Sequence, residues 1–334
     1  MTTNSQLFEF ENLKKHIPIL GYDEKNSFEQ WKCEVKEKLV ELLGLPFEKC
    51  DSKFTVTEQT ELCGYTRIKF TVQTEEGYYV PCYFLVPDVK GKKLPHTICL
   101  SGHGGGMHVA AGNAKNEKDE EALNEWHHRA MGLRAVKDGR CGLVIEARNF
   151  GESSVNGYGV SCTEAAKISL LMGRTVIGER VWDVMRILDA VTENFDFVDM
   201  SDVVCTGNSG GGTAAYYVSA LDERITACAP SCSVCNYEDS IAAMPHCICN
   251  HVPSIRKYFE MGDLACLIAP RKMVVAAGQT DDIFPIEGTK KAFEKIKRIY
   301  YEAGAKDNCA LVIGDGGHLN YADLIWEKLH EMGV

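Results

Sequence analysis

The chain has 334 residues, 45% hydrophobic and 25% charged, a balance that excludes a disordered polar chain and supplies enough apolar material for a sizeable core. Its formal net charge is −11 and no block of Lys and Arg is long enough to follow a phosphate backbone, so nucleic acid is not an expected partner. Residues 1–15 carry no basic leader followed by an apolar core, and no apolar run approaches the ~18 residues a membrane helix needs, so no membrane partner is expected. Many of the 15 cysteines stand inside apolar strand-like runs, where thiols act as small buried hydrophobes, and this usage fits a reducing, cytoplasmic setting.

Phe28, Trp31, Val35, Leu39 and Leu42 recur at spacings of three and four, which predicts a helix stopped by Gly44 and Pro46. It belongs to an amino-terminal helical extension over residues 1–50. Between residues 54 and 87 the alternating segments FTVTEQ, TRIKFTVQT and YYVPCYFLV, broken at Glu75, Glu76 and Gly77, predict antiparallel strands at one sheet edge. After Pro95 short apolar runs alternate with longer amphipathic ones, the pattern of a parallel sheet with crossover helices. The strand candidates are 97–100, 142–146, 203–206, 225–229, 273–277 and 310–313.

One crossover helix is well specified, with Ile177, Val181, Val184, Leu188 and Val191 on one face. Arg180, Asp183 and Arg186 lie off that face and are expected to be solvated or ion-paired. Residues 230–263 have no strong period and predict an excursion over the sheet, a cap or pocket loop. Tyr321, Leu324, Ile325 and Leu329 share helical register and predict a closing helix. The whole, residues 1–334, is expected to be a single α/β domain with a mostly parallel sheet, antiparallel amino-terminal edge strands and helices on both faces.

Gly207-Asn208-Ser209-Gly210-Gly211 follows a predicted strand and precedes the helix-compatible run 213–221. Such a strand–turn–helix forces the serine onto a sharp turn with its hydroxyl exposed, and glycines at both ends remove side chains that would collide. A serine hydroxyl needs a positioned base, and in this arrangement the chain order is serine, acid, histidine. Asp281 and Asp282 follow the strand 273–277, and His318 ends the glycine-rich loop after 310–313. Asp281 is preferred because it comes first after the strand-end turn; Asp282 is the rival, and Asp315 reads as turn chemistry. The oxyanion donors are expected from the Gly210 amide and from the loop 101–107, with Gly105 the first choice and Gly104 the second.

The motifs GHGGG (102–106), ARNFGES (147–153), ERVWDVMRILDA (179–190), GNSGGG (207–212), APRKM (269–273) and GQTDDIFP (278–285) resemble the acetyl xylan esterase and dienelactone hydrolase branch of the α/β-hydrolases. The resemblance extends from about residue 54 to the carboxy terminus. It implies a Ser or Cys, His and Asp triad, matched here by Ser209, His318 and Asp281. Carbohydrate esterases of the branch often have an aromatic residue after the His-Gly of the oxyanion loop, where this chain has Gly105. Dienelactone hydrolases proper use cysteine as nucleophile, so Ser209 points to an esterase.

The expected activity is therefore two-step hydrolysis of a small-molecule ester, such as an acetylated carbohydrate, with no metal or organic cofactor. A serine peptidase or amidase of the same fold, and a non-catalytic binding protein, are the alternatives. Cys232 and Cys235 have zinc-ligand spacing and are followed by His246, Cys247, Cys249 and His251. The later group forms no second C-x2-C, so the expected reading is a segment that shapes the pocket. His103, His127 and His128 fit loop or helix-surface roles as easily as substrate contacts, and Arg148 and Glu152 are expected to brace the floor of the site as an ion pair.

Overall fold

The computed structural model describes residues 2–89, 93–125 and 129–334; His127 and His128 lie outside them. One nine-stranded sheet organises the chain, in the order β1-β2-β3-β5-β4-β6-β7-β8-β9. Its strands are β1 (Thr55–Leu62), β2 (Tyr65–Glu75), β3 (Tyr78–Pro87), β4 (Leu94–Leu100), β5 (Cys141–Ile145), β6 (Val198–Asn208), β7 (Ala227–Ser231), β8 (Lys272–Gly278) and β9 (Cys309–Gly314). β1, β2 and β3 pair antiparallel, β3 joins β5 antiparallel, and every pairing from β5 to β9 is parallel.

The helices are α1 (Ser5–Lys15), α2 (Phe28–Leu43), α3 (Gly106–Ala110), α4 (Glu117–Glu125), α5 (Met131–Lys137), α6 (Cys162–Leu171), α7 (Val176–Asn194), α8 (Gly210–Leu221), α9 (Ile255–Tyr258), α10 (Ile286–Glu302) and α11 (Ala322–Glu331). Strand alternation divides them between two faces. Cys141, Leu143 and Ile145 of β5 join the core beneath α2, α7, α8 and α10, whereas Val144 turns to the opposite layer with α3 and α5. Val204, Ala229 and Ala276 turn the same way and meet Ile325, Trp326 and Leu329 of α11. Each large side chain buried in these layers contributes about 1.5–3 kcal/mol.

The predicted α2 buries Trp31, Val35, Leu39 and Leu43, with Phe28 and Leu42 at the border of that stripe, and ends at Gly44 in the left-handed region. All six parallel-strand expectations fall on β4 to β9; the fourth of them, 225–229, overlaps β7, which begins two residues later, at Ala227. For α7 the ion-paired alternative holds for Asp183 and Arg186. Arg180, Asp183 and Arg186 are 3%, 2% and 9% exposed, so these three do not form a solvated face. Asp183 accepts from Arg148 at 2.7 and 2.8 Å, and Arg186 pairs with Asp189. Among the described residues no helix is long and apolar enough to cross a membrane.

Candidate active site

β6 turns into α8 at Ser209, whose φ of 55° and ψ of −124° are unusual for a residue with a side chain. The turn holds because its neighbours lack side chains. A Cβ on Gly211 would stand 2.0 Å from the Leu100 carbonyl oxygen, and one on Gly207 would stand 2.4 Å from the Gly211 backbone. The Ser209 amide donates to the Ser231 carbonyl at 2.9 Å, so this residue is anchored to β7 while its hydroxyl faces a cavity. The same serine caps the amino end of α8, where the helix dipole favours developing negative charge.

The acid and histidine loops leave the carboxyl ends of β8 and β9 and are stitched together by backbone bonds. Gln279 donates to Gly314 at 2.8 Å and Thr280 to Gly316 at 3.0 Å. This brings the Asp281 carboxylate to 2.9 Å from Nδ1 of His318. The other Asp281 oxygen accepts from the amides of Ile283 and Phe284 at 2.8 and 2.9 Å. Burial pushes the Asp281 carboxyl up, but the His318 bond and the two amides outweigh it and hold the group below its ordinary value. Asp282 and Asp315 are exposed, so the choice between the adjacent aspartates falls on Asp281.

The His318 ring stacks on buried Phe284, with centroids 5.9 Å apart and planes 13° from parallel. Its loop is tied to β7 by Ser231, whose hydroxyl donates to the Leu319 carbonyl at 3.1 Å and accepts from the Tyr321 amide at 3.2 Å. One residue thus fixes the serine through its carbonyl and the histidine loop through its side chain. Cys232, beside Asp281, has its thiol pushed up to about 12 by burial and by that carboxylate, and so stays neutral.

Ser209 and His318 line one cavity of about 310 Å³. Its walls include Gly102, His103, Gly105 and Gly106 of the loop after β4, and Met244, Pro245, His246 and Cys247 of the 230–263 excursion. Gly105 lines the cavity; Gly104 is absent from its wall and a Cβ there would meet nothing within 4 Å. Gly210 is buried as the first residue of α8, next to Ser209. A Cβ on Gly210 would lie 2.8 Å from the His103 ring, so His103 is packed against the start of α8 rather than placed on the surface.

Beneath the loop, Glu146 is fully buried and accepts from the Met107 and Glu152 amides, each at 3.1 Å. Burial raises its carboxyl to about 7 although both amides oppose the shift. The expected Arg148–Glu152 pair does not form. Arg148 instead bonds Asp183 and Glu75, while Glu152 joins Lys69 at 2.7 Å and His108 at 2.9 Å. The His108 bond, then Lys69, lowers Glu152 to about 2. Both residues do brace the floor, through different partners.

Met244, Pro245, His246 and Cys247 line the cavity, as the pocket-shaping reading expects, and the rival grouping with Cys232 and Cys235 does not assemble. Cys235 approaches the Pro285 carbonyl at 3.8 Å and does not meet Cys247 or Cys249. Those two thiols cluster instead with Cys162 of α6 and with His103, a grouping that the C-x2-C spacing concealed. The residues missed from sequence are thus Cys162, Ser231 and Glu146, together with the role of His103; only the position of His103 inside the GHGGG loop was a usable signal.

The chain belongs to the Abhydrolase family, whose model matches residues 10–311. It is 27% identical over 249 residues to the Bacillus subtilis (strain 168) protein named "Putative hydrolase YtaP", covering 72% of this chain and 79% of that protein. Among solved structures, a Bacteroides fragilis NCTC 9343 protein described as a "putative acetyl xylan esterase" superposes with a TM-score of 0.79 at 18% identity, covering 94% of this chain and 83% of the other. A glucuronoyl esterase from Solibacter usitatus gives 0.70 at 16% identity, with 93% of each chain covered. The architecture is the α/β-hydrolase fold.

Proposed function

We propose that this protein is a serine esterase that removes a short acyl group, such as acetate, from a hydroxyl-bearing alcohol of the carbohydrate kind. The observation that carries the reading is that a strained Ser209 and a His318 whose Nδ1 is already held by Asp281 line one cavity. With Nδ1 engaged, Nε2 is the nitrogen left to take the serine proton as Oγ attacks the ester carbonyl. The amides of Gly210 and Gly105 receive the negative charge on the carbonyl oxygen, and Asp281 stabilises the imidazolium. His318 then returns the proton to the leaving alcohol, and water, activated by the same imidazole, resolves the acyl-serine.

The cavity volume of about 310 Å³ stands at the small end of the ~300–1,000 Å³ usual for ligand sites, which favours a short acyl group. Val109, Ala110 and Ile283 supply apolar wall; Asn208, His246 and Asn320 supply polar atoms suited to hydroxyl groups. Burial first, and then His251 and His103, lower His246 to about 4, so it meets substrate as a neutral imidazole at physiological pH. The esterase names carried by structural relatives are consistent with this substrate class.

Initial rates on matched aryl acetate, aryl octanoate and acetanilide test the reading. Turnover of the acetate should exceed that of the octanoate by at least ~10-fold, on the scale set by misfit in an apolar pocket. Faster cleavage of the anilide than of the ester would instead assign an amidase.

A further inference from the structure

Outside the Ser209–His318–Asp281 set, one cluster of ligand-type side chains is left unused by the proposed chemistry. A ring nitrogen of His103 and the sulfurs of Cys162, Cys247 and Cys249 all lie within 4.8 Å of one another, with His103 Nε2 3.2 Å from Cys249 Sγ. These atoms come from three separated stretches: the loop after β4, the start of α6 and the 230–263 excursion. Zinc–sulfur bonds of about 2.3 Å and zinc–nitrogen bonds of about 2.0 Å give tetrahedral edges of roughly 3.5–3.8 Å. No pair needs to close by more than about 1.3 Å to reach that geometry, the His103–Cys249 pair needs only to open by a few tenths of an ångström, and all the cysteines are free thiols.

A second observation points independently to charge at this spot. Arg180 of α7 is 3% exposed and reaches Cys162 Sγ at 3.6 Å. Its Nε and Nη1 have no hydrogen-bond partner, and no carboxylate of the described residues forms an ion pair with it. A buried guanidinium without a counter-charge is costly. Three neutral thiols offer it none, a single thiolate would match its charge without explaining why three sulfurs and an imidazole converge, and three bare thiolates crowded together would repel one another. A divalent cation with three thiolates and one neutral imidazole carries a single net negative charge, which the guanidinium balances. Phe150 closes the group, its ring 4.8 Å from that of His103 and 4.3 Å beneath the Arg180 guanidinium.

We infer that His103, Cys162, Cys247 and Cys249 form a structural zinc site that clamps the loop after β4 against α6 and the pocket-forming excursion. Each thiol binds as thiolate, releasing its proton to solvent. Four protein ligands complete the tetrahedron, so the ion has no open position for substrate or water and serves to hold the chain. What it holds matters because the His103 ring abuts Gly210 and is two residues from Gly105. Resting on the esterase reading above, the clamp fixes the spacing of the two oxyanion amides and acts on the reaction only through that positioning.

Metal analysis of the full-length protein, purified under reducing conditions, should find about one zinc per chain. The Cys162→Ser/Cys249→Ser double variant should lose it, and Cys235→Ser should keep it. Should the double variant fold poorly, titrating metal-stripped wild-type protein with Co2+ gives the same information: saturation at one equivalent with tetrahedral d–d and sulfur-to-cobalt charge-transfer absorption is expected. No saturable binding, retention of metal by the double variant, or a disulfide among the three cysteines in mass spectra would overturn the site. Stripping should also slow labelling of Ser209 by a fluorophosphonate about 10–100-fold, the scale on which support of a site by its surroundings is felt; an unchanged rate overturns the clamp. A stoichiometric zinc protein that hydrolyses no ester, loaded or stripped, would refute the esterase reading and leave the metal site standing.

Discussion

Replacing Ser209 with alanine is expected to lower ester turnover by about 10⁶-fold, because nucleophile and base act as a unit and the remaining parts provide only binding and oxyanion stabilisation. The fold should survive the change. Ser209 is anchored by its backbone amide to Ser231 and by the close approach of Gly207 and Gly211 to their neighbours, and its hydroxyl is not needed for either. Losing Oγ also leaves the oxyanion amides in place. Circular dichroism and the thermal midpoint should therefore stay close to wild type while steady-state rates collapse; retained turnover in a variant of wild-type stability would remove Ser209 from the mechanism.

The second large effect separates two adjacent carboxylates. Asp281→Asn should cost about 10⁴-fold in kcat, since an amide in place of the carboxylate favours the wrong imidazole tautomer and no longer stabilises the imidazolium. Asp282→Asn should change rates by no more than about 3-fold, because that side chain is exposed and makes no bond to His318. The Asp281 substitution carries a structural cost as well. Its Oδ1 accepts two amides, and the asparagine must keep its carbonyl oxygen toward them, which turns its NH2 toward Nδ1. That geometry is what enforces the wrong tautomer. A larger kinetic loss in Asp282→Asn than in Asp281→Asn would move the acid.

The parts legible in the sequence were those written locally. The strand–turn–helix at Ser209 needs glycine on either side of the nucleophile, so five residues set between an apolar strand and a helix-compatible run placed the turn. The strands after Pro95 read as short apolar runs because a parallel sheet covered on both faces requires them. Of the two adjacent aspartates it is Asp281 that stands against His318, and the physical reason, two amides folding back onto one oxygen, depends on backbone geometry that sequence does not record.

Elsewhere three-dimensional proximity decided, and local pattern misled. Of the solvated and ion-paired readings of Arg180, Asp183 and Arg186, packing decided for the second where a partner came within reach: α7 is packed against β2 and α6, and Asp183 found its partner in Arg148 from the loop after β5. Glu152 was matched with Arg148 on the strength of nearness along the chain; the strand-edge Lys69 and α3 His108 reached it first. Cys232 and Cys235 drew notice by spacing, whereas the thiols that converge belong to residues 162, 247 and 249 and meet a histidine from position 103. No periodicity links elements so far apart.

The central claim is that Ser209 is an activated nucleophile, and its most direct test is covalent trapping. Protein incubated with a fluorophosphonate and digested for peptide mapping should carry one phosphonyl group on the peptide containing Ser209, with labelling slowed by about 10³-fold or more once His318 is replaced by alanine, because an unassisted hydroxyl is a poor nucleophile at neutral pH. An unlabelled Ser209 in well-folded wild-type protein, or a rate indifferent to His318, would contradict the account.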